Sequence, residues 1–143
     1  MSCFGESDSC LRREKYIVLG DPIPLARPRF SKGHVFDSQK LKKLNISSMI
    51  MHQHGCKKKF TGAVHLEVIF FMGIPSSISK KKKEQIEGSP HKCRPDFSNL
   101  LKFIEDVAQD ILYDDDCIIA SVCGSKVYST QPRTEMIVTE LGG

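Results

Sequence analysis

Two groups of carboxylates in this 143-residue sequence have the residue types and spacing for chemistry on a phosphodiester. Asp96 follows Pro95 at what reads as a helix entrance, and Asp114, Asp115 and Asp116 form a turn ahead of an apolar run that reads as a strand. Three adjacent anions repel one another and raise each other's pKa unless a cation or hydrogen-bond donors neutralise them. Mg²⁺ does so through oxygen ligands, often one or two carboxylates together with a substrate phosphate. Lys102 stands six residues beyond Asp96, about 9 Å along a helix axis, and its long stem can close much of that distance. If the strand packs beside the helix, Asp96 and the 114–116 turn are expected to converge on one ion. The ion would activate water and neutralise developing charge, and Lys102 would stabilise the anionic transition state. Asp106 lies one turn further along the polar face and reads equally well as a surface acid.

The charge distribution fits that chemistry. Residues 96–116 hold seven acids against Lys102 alone, a local charge of −6, while the remainder carries twenty Lys and Arg against ten acids, or +10. A basic body around an acidic patch is expected of a polyanion-binding surface surrounding a cation site; chance clustering of acids in a globular protein is the bland alternative. The basic residues available to a phosphate backbone are Arg27 and Arg29, the run Lys80, Lys81, Lys82 and Lys83, and Lys126. The lysine run also reads as a plain solvated face.

The elements that must position these residues are legible in outline. "KYIVLG" (15–20) reads as a short strand, and "DPIPLARPRFSKGHVF" (21–36), with three prolines, as an extended loop. Asp37 can cap a helix running to about His54 and stopped by Gly55, with Leu41, Leu44, Ile46, Met49 and Ile50 as a modest stripe. "AVHLEVIFFM" (63–72) alternates as a well-buried strand, and "PSSISKKKKEQIEG" (75–88) contains a Ser-capped short helix. The clearest helix spans 97–111, with Phe97, Leu100, Leu101, Ile104, Val107, Ala108 and Ile111 on one side and Asn99, Lys102 and Asp106 on the other. "CIIASV" (117–122) and "TEMIVTEL" (134–141) read as strands. The expected fold is α/β (α+β): a mixed sheet of about four strands with two to three helices, in one domain over 15–143 preceded by a flexible segment over 1–14.

Composition excludes several classes. A chain of this length buries roughly two-thirds of its unfolded surface, and no apolar run approaches the roughly 20 residues that a membrane helix needs. The first residues have neither a basic start nor a continuous apolar stretch, so a secretory signal is not expected. Six cysteines without a Cys-x-x-Cys pair read as small apolar residues in a reduced, cytoplasmic protein. A zinc site joining some of them to His52, His54 or His91 is the lesser alternative.

The run "RPDFSNLLKFIEDVAQDILYDDDCII" (94–119), followed by Lys126 and "PRTEMIV", resembles the RusA family of Holliday junction resolvases. "GDPIPLARPRFSKGHVF" and "IPSSISKKKKEQIEGSPHKCRPD" resemble that family's lead-in, so the similarity covers nearly everything after residue 15. The resemblance implies a homodimeric endonuclease, bacterial or phage-encoded, that needs Mg²⁺ or Mn²⁺ and cuts opposed strands of a four-way DNA junction. By position it makes Asp96, Lys102 and Asp116 catalytic, adds Asp115 to the metal ligands, and gives Asn99 and Asp106 supporting places. One departure stands out: a family acid falls on Ser98, which leaves one negative charge fewer for a hard cation and suits a helix cap. Ile118 takes the place of a common Gln. Two functions follow as expectations: a metal-dependent junction nuclease, or a branched-DNA-binding protein whose cleavage is weakened or lost through Ser98.

Overall fold

The computed structural model describes residues 11–26, 29–31, 33–36 and 38–142. In chain order its elements are β1 (Arg13–Leu19), β2 (Arg29–Ser31), β3 (His34–Phe36), α1 (Lys40–His54), β4 (Val64–Gly73), α2 (Lys80–Ile86), α3 (Phe97–Ala108), β5 (Ile119–Ser129) and β6 (Arg133–Glu140). Four strands form a mixed sheet in the order β1-β6-β4-β5, in which only β4 and β5 run parallel. The expected α+β architecture, with four sheet strands and three helices, is the one observed.

Residue alternation explains the central strand. Val64, Leu66, Val68, Phe70 and Met72 are all buried on one face of β4, where Tyr16, Val18, Met136 and Val138 join them from β1 and β6. Against that face α3 lays Leu100, Phe103, Ile104, Val107 and Ala108, a spacing of three and four residues that keeps one side of the helix apolar. Helix α1 adds Ile46 and Ile50. Leu41 and Leu44, expected on its buried stripe, are 81% and 54% exposed. No helix among the described residues is long and apolar enough to cross a membrane.

Several boundaries differ from the sequence reading for identifiable reasons. β1 begins at Arg13, two residues early, because its pairing with β6 continues to Thr139 and Glu14 is held by Arg12 at 3.3 Å and Lys57 at 2.9 Å. Residues 1–10, the rest of the expected flexible segment, lie outside the described residues, as does Asp37. α1 starts at Lys40 after Gln39, without a side-chain cap bond, and ends at Gly55, whose φ of 61° suits glycine. Within the expected loop, β2 and β3 make a small hairpin. Cys56, Cys93, Cys117 and Cys123 are exposed free thiols, not buried apolar residues.

Two glutamine amides act as substitute strands. Gln53 accepts from the Ile17 N–H at 2.8 Å and donates to the Ile17 carbonyl at 2.7 Å, occupying the outer edge of β1. Gln39, buried, accepts from the Ala26 N–H at 2.9 Å and donates to the Pro24 carbonyl at 2.8 Å, which fixes the proline-rich loop.

At the end of α1, His54 is buried with Nδ1 2.8 Å from the Tyr16 hydroxyl. Burial, reinforced by the charge of Arg12, holds the imidazole below its ordinary 6.5, and burial pushes Tyr16 up to about 12. The unfolded chain therefore takes up a proton near pH 6.5 that the folded chain refuses, so this contribution is complete above that pH and declines as the pH falls towards the folded value. Denaturant midpoints should drop between about pH 7.5 and about pH 5.5. His54→Phe should flatten that slope; an unchanged slope would assign the acid sensitivity to other groups.

Candidate active site

Asp96 occupies the N-cap position of α3, yet its side chain makes no cap hydrogen bond and its carboxylate is exposed. It stands at the positive end of the helix, where an anion is favoured, and remains available to a ligand. The entrance it marks is pinned from two sides. Below, the Phe97 ring packs edge-on against Phe70 at 5.4 Å and lies over Gly124 of β5. A Cβ on Gly124 would overlap the Val68 carbonyl oxygen and stand 2.8 Å from the Phe97 ring, so only glycine permits this approach. Above, the Leu25 N–H donates to the Asn99 carbonyl at 3.0 Å. Pro22, Pro24 and Leu25 thereby face Arg94, Pro95, Asp96 and Asn99 across a cleft.

Further along α3, Lys102 is exposed and makes no ion pair among the described residues. Ser98 is exposed in the first turn and is not the helix cap, a position held by Asp96. Asp106 pairs with Lys43 of α1 at 3.1 Å, and Asp114 with Lys59 at 2.8 Å. Asp115 accepts from the Cys117 N–H at 3.0 Å, which caps the 3-10 turn Asp116–Ile118 and holds its carboxyl below the ordinary value. Asp116 is exposed. Its charge, after burial, helps to push the Glu105 carboxyl up. Sequence reasoning passed over Glu105, although it lies three residues beyond Lys102 and seven beyond Ser98 on the same side of the helix.

These positions decide how the two acid groups relate. Asp116 neighbours the last turn of α3 and Asp96 its first, and the nine residues from 96 to 105 rise about 14 Å along a helix axis. Oxygens on one Mg²⁺ lie within about 4 Å of each other. Among the described residues no three His, Cys, Asp or Glu side chains come together as a metal site, so the expected convergence on one ion is not displayed as a ready-made ligand group. The alternative zinc site also lacks such a group: His54 packs on Tyr16, and the His91 ring lies 4.8 Å from that of Tyr128.

The basic residues divide as well. Lys80, Lys81 and Lys82 are exposed on α2 and Lys83 is half-buried, with Ser79 accepting from the Lys82 N–H as its cap. Arg29 opens β2, and Arg27 lies outside the described residues. Lys126, expected with the DNA-binding residues, turns inward from β5: its Nζ donates to the Cys93 carbonyl at 2.7 Å and the Pro95 carbonyl at 2.8 Å.

Known proteins share this arrangement of sequence. The chain is similar to a Bacillus subtilis (strain 168) protein named "Uncharacterized protein YqaN", with 32% identity over 136 residues, covering 89% of this chain and 96% of the relative. The family model for RusA, described as endodeoxyribonuclease RusA, matches residues 20–139, which contain the proline-rich loop, α3 and both acid groups. This chain belongs to the RusA endodeoxyribonuclease family.

Proposed function

We propose that the protein is a divalent-metal-dependent endonuclease that resolves four-way junctions and related branched DNA by paired cuts, acting in the cytoplasm as a homodimer. The observation that carries this reading is the exposed Asp96 carboxylate at the head of α3, free of any cap hydrogen bond, with Lys102, which makes no ion pair among the described residues, on the same helix. A divalent ion, Mg²⁺ or Mn²⁺, supplies Lewis-acid neutralisation and a water of lowered pKa when bound. Lys102 opposes the charge that builds on the phosphodiester, and the lysines of α2 hold its flanking backbone.

That no three acid, His or Cys side chains meet as a metal group among the described residues of one chain supports the homodimer. The outer edge of β5 from Ile119 to Ser125 has no strand partner among the described residues. An antiparallel copy of that edge, related by a two-fold axis, would bring Asp116 of one chain towards the Asp96 end of the other. Two such composite sites on one axis suit paired cuts in a near-symmetric junction.

A synthetic junction labelled on opposed strands tests the reading in Mg²⁺ and in Mn²⁺. Symmetric cleavage is the expected result; tight binding without cleavage in either metal would favour the branched-DNA-binding reading, which Ser98 motivates. Ser98→Asp, which restores a carboxylate in the first turn, should lower the metal concentration for half-maximal cleavage by about tenfold. An unchanged metal dependence would place position 98 outside the coordination shell.

A further inference from the structure

We propose that Lys126 is a positioning residue for cleavage, which fixes the Asp96 loop onto β5 and does not contact DNA. The inference rests on the reading of Asp96 as an active-site acid. Lys126 lies on the helix-facing side of β5, half-buried, and spends two of its three N–H donors on the carbonyls of Cys93 and Pro95, at 2.7 and 2.8 Å. These carbonyls flank Arg94 and immediately precede Asp96. A charged donor bridging two main-chain acceptors makes stronger hydrogen bonds than a neutral one.

The backbone around it does the same work. The His91 N–H donates to the Lys126 carbonyl at 3.0 Å, the Gly88 N–H to the Tyr128 carbonyl at 2.8 Å, and the Tyr128 N–H to the Ser89 carbonyl at 2.9 Å. Segment 88–91 thus runs along the edge of β5, and beyond it the Lys126 side chain continues the attachment to residues 93–95, joined by a Cys93 Sγ–Tyr128 hydroxyl contact at 4.0 Å. From there the chain enters α3, whose Phe97 rests on Gly124, two residues from Lys126 on the same strand. A displacement of about 1 Å in a reacting group costs on the order of a hundredfold in rate, and a loop released from Lys126 has the freedom to move that far.

Lys126→Met keeps the aliphatic stem and removes the donors. In a single-turnover junction assay with the full-length protein, it should slow cleavage by about ten- to a hundredfold, with junction affinity measured in Ca²⁺ unchanged. Trypsin should cut more readily after Lys92. The discriminating readout is the cycle with Asp96→Asn: once the carboxylate is gone, Lys126→Met should slow the residual rate by less than about twofold. Lys126→Gln, with neutral donors, should lie between Met and wild type, and it carries the comparison if the Met variant does not fold. Normal cleavage by Lys126→Met, or an unchanged rate accompanied by weakened affinity and a smaller salt slope, would overturn the proposal and return Lys126 to the DNA contacts. Normal cleavage by Asp96→Asn would overturn the underlying reading of Asp96 instead, a result recorded separately.

Discussion

Asp96→Asn is expected to lower the single-turnover rate of junction cleavage by about a thousandfold or more while leaving the fold and the junction affinity intact. Asparagine keeps the shape of the side chain and removes its charge. Since the native carboxylate makes no cap bond, α3 loses only the weak attraction between an exposed anion and the positive end of the helix when it is replaced. Asp116→Asn should be as damaging, whereas Asp106→Asn should be mild, because Asp106 serves an ion pair with Lys43 on the surface. The separation of the two acids along α3 makes a sharper experiment available. Mixed dimers of an Asp96→Asn chain with an Asp116→Asn chain contain one intact composite site if the two acids meet across the two-fold axis, and they should nick one strand. If each site is built within one chain, both sites carry a lesion and the mixture stays inactive.

Gly124→Ala should lower stability by about 1–3 kcal/mol, seen as a fall of roughly 3–10 °C in the thermal midpoint for a domain of this size. The added methyl has nowhere to go: one neighbour is the main-chain oxygen of Val68 on the paired strand, the other the Phe97 ring. The main chain of a central strand yields less readily than a ring, so β5 and the head of α3 must separate. Cleavage should fall with stability, since Phe97 adjoins Asp96. Phe97→Leu in the same chain should recover part of the loss by vacating the ring edge. An unshifted midpoint for Gly124→Ala would mean that α3 is not seated on β5 as described.

What the sequence disclosed, and what it hid, divides along physical lines. α3 and β4 were readable because burial imposes a strong period on each, three to four residues in one and two in the other. β5 was expected to end near Val122, but runs to Ser129. Gly124, Ser125 and Lys126 look like turn residues in isolation; their roles, admitting Phe97 and holding two carbonyls, exist only in the folded chain. The β2–β3 hairpin was concealed by prolines and charge, and the role of Gln39 by its distance from the loop it holds. The candidate acids were all visible by type. Their placing on the fold was not, since spacing along the chain cannot say that the head of α3 rests on Gly124 of β5 while the 114–116 turn precedes the same strand.

The Gln53 amide on β1 has a consequence for how copies of this chain can associate. A sheet with two bare margins is a template for unlimited stacking, the route to fibres. Here one margin is blocked at Ile17 by a side chain of the same molecule, and among the described residues the margin of β5 from Ile119 to Ser125 has no strand partner. In the proposed dimer, pairing through a two-fold axis would consume that margin in both partners at once, so association would be self-limiting: the sheet would double and stop.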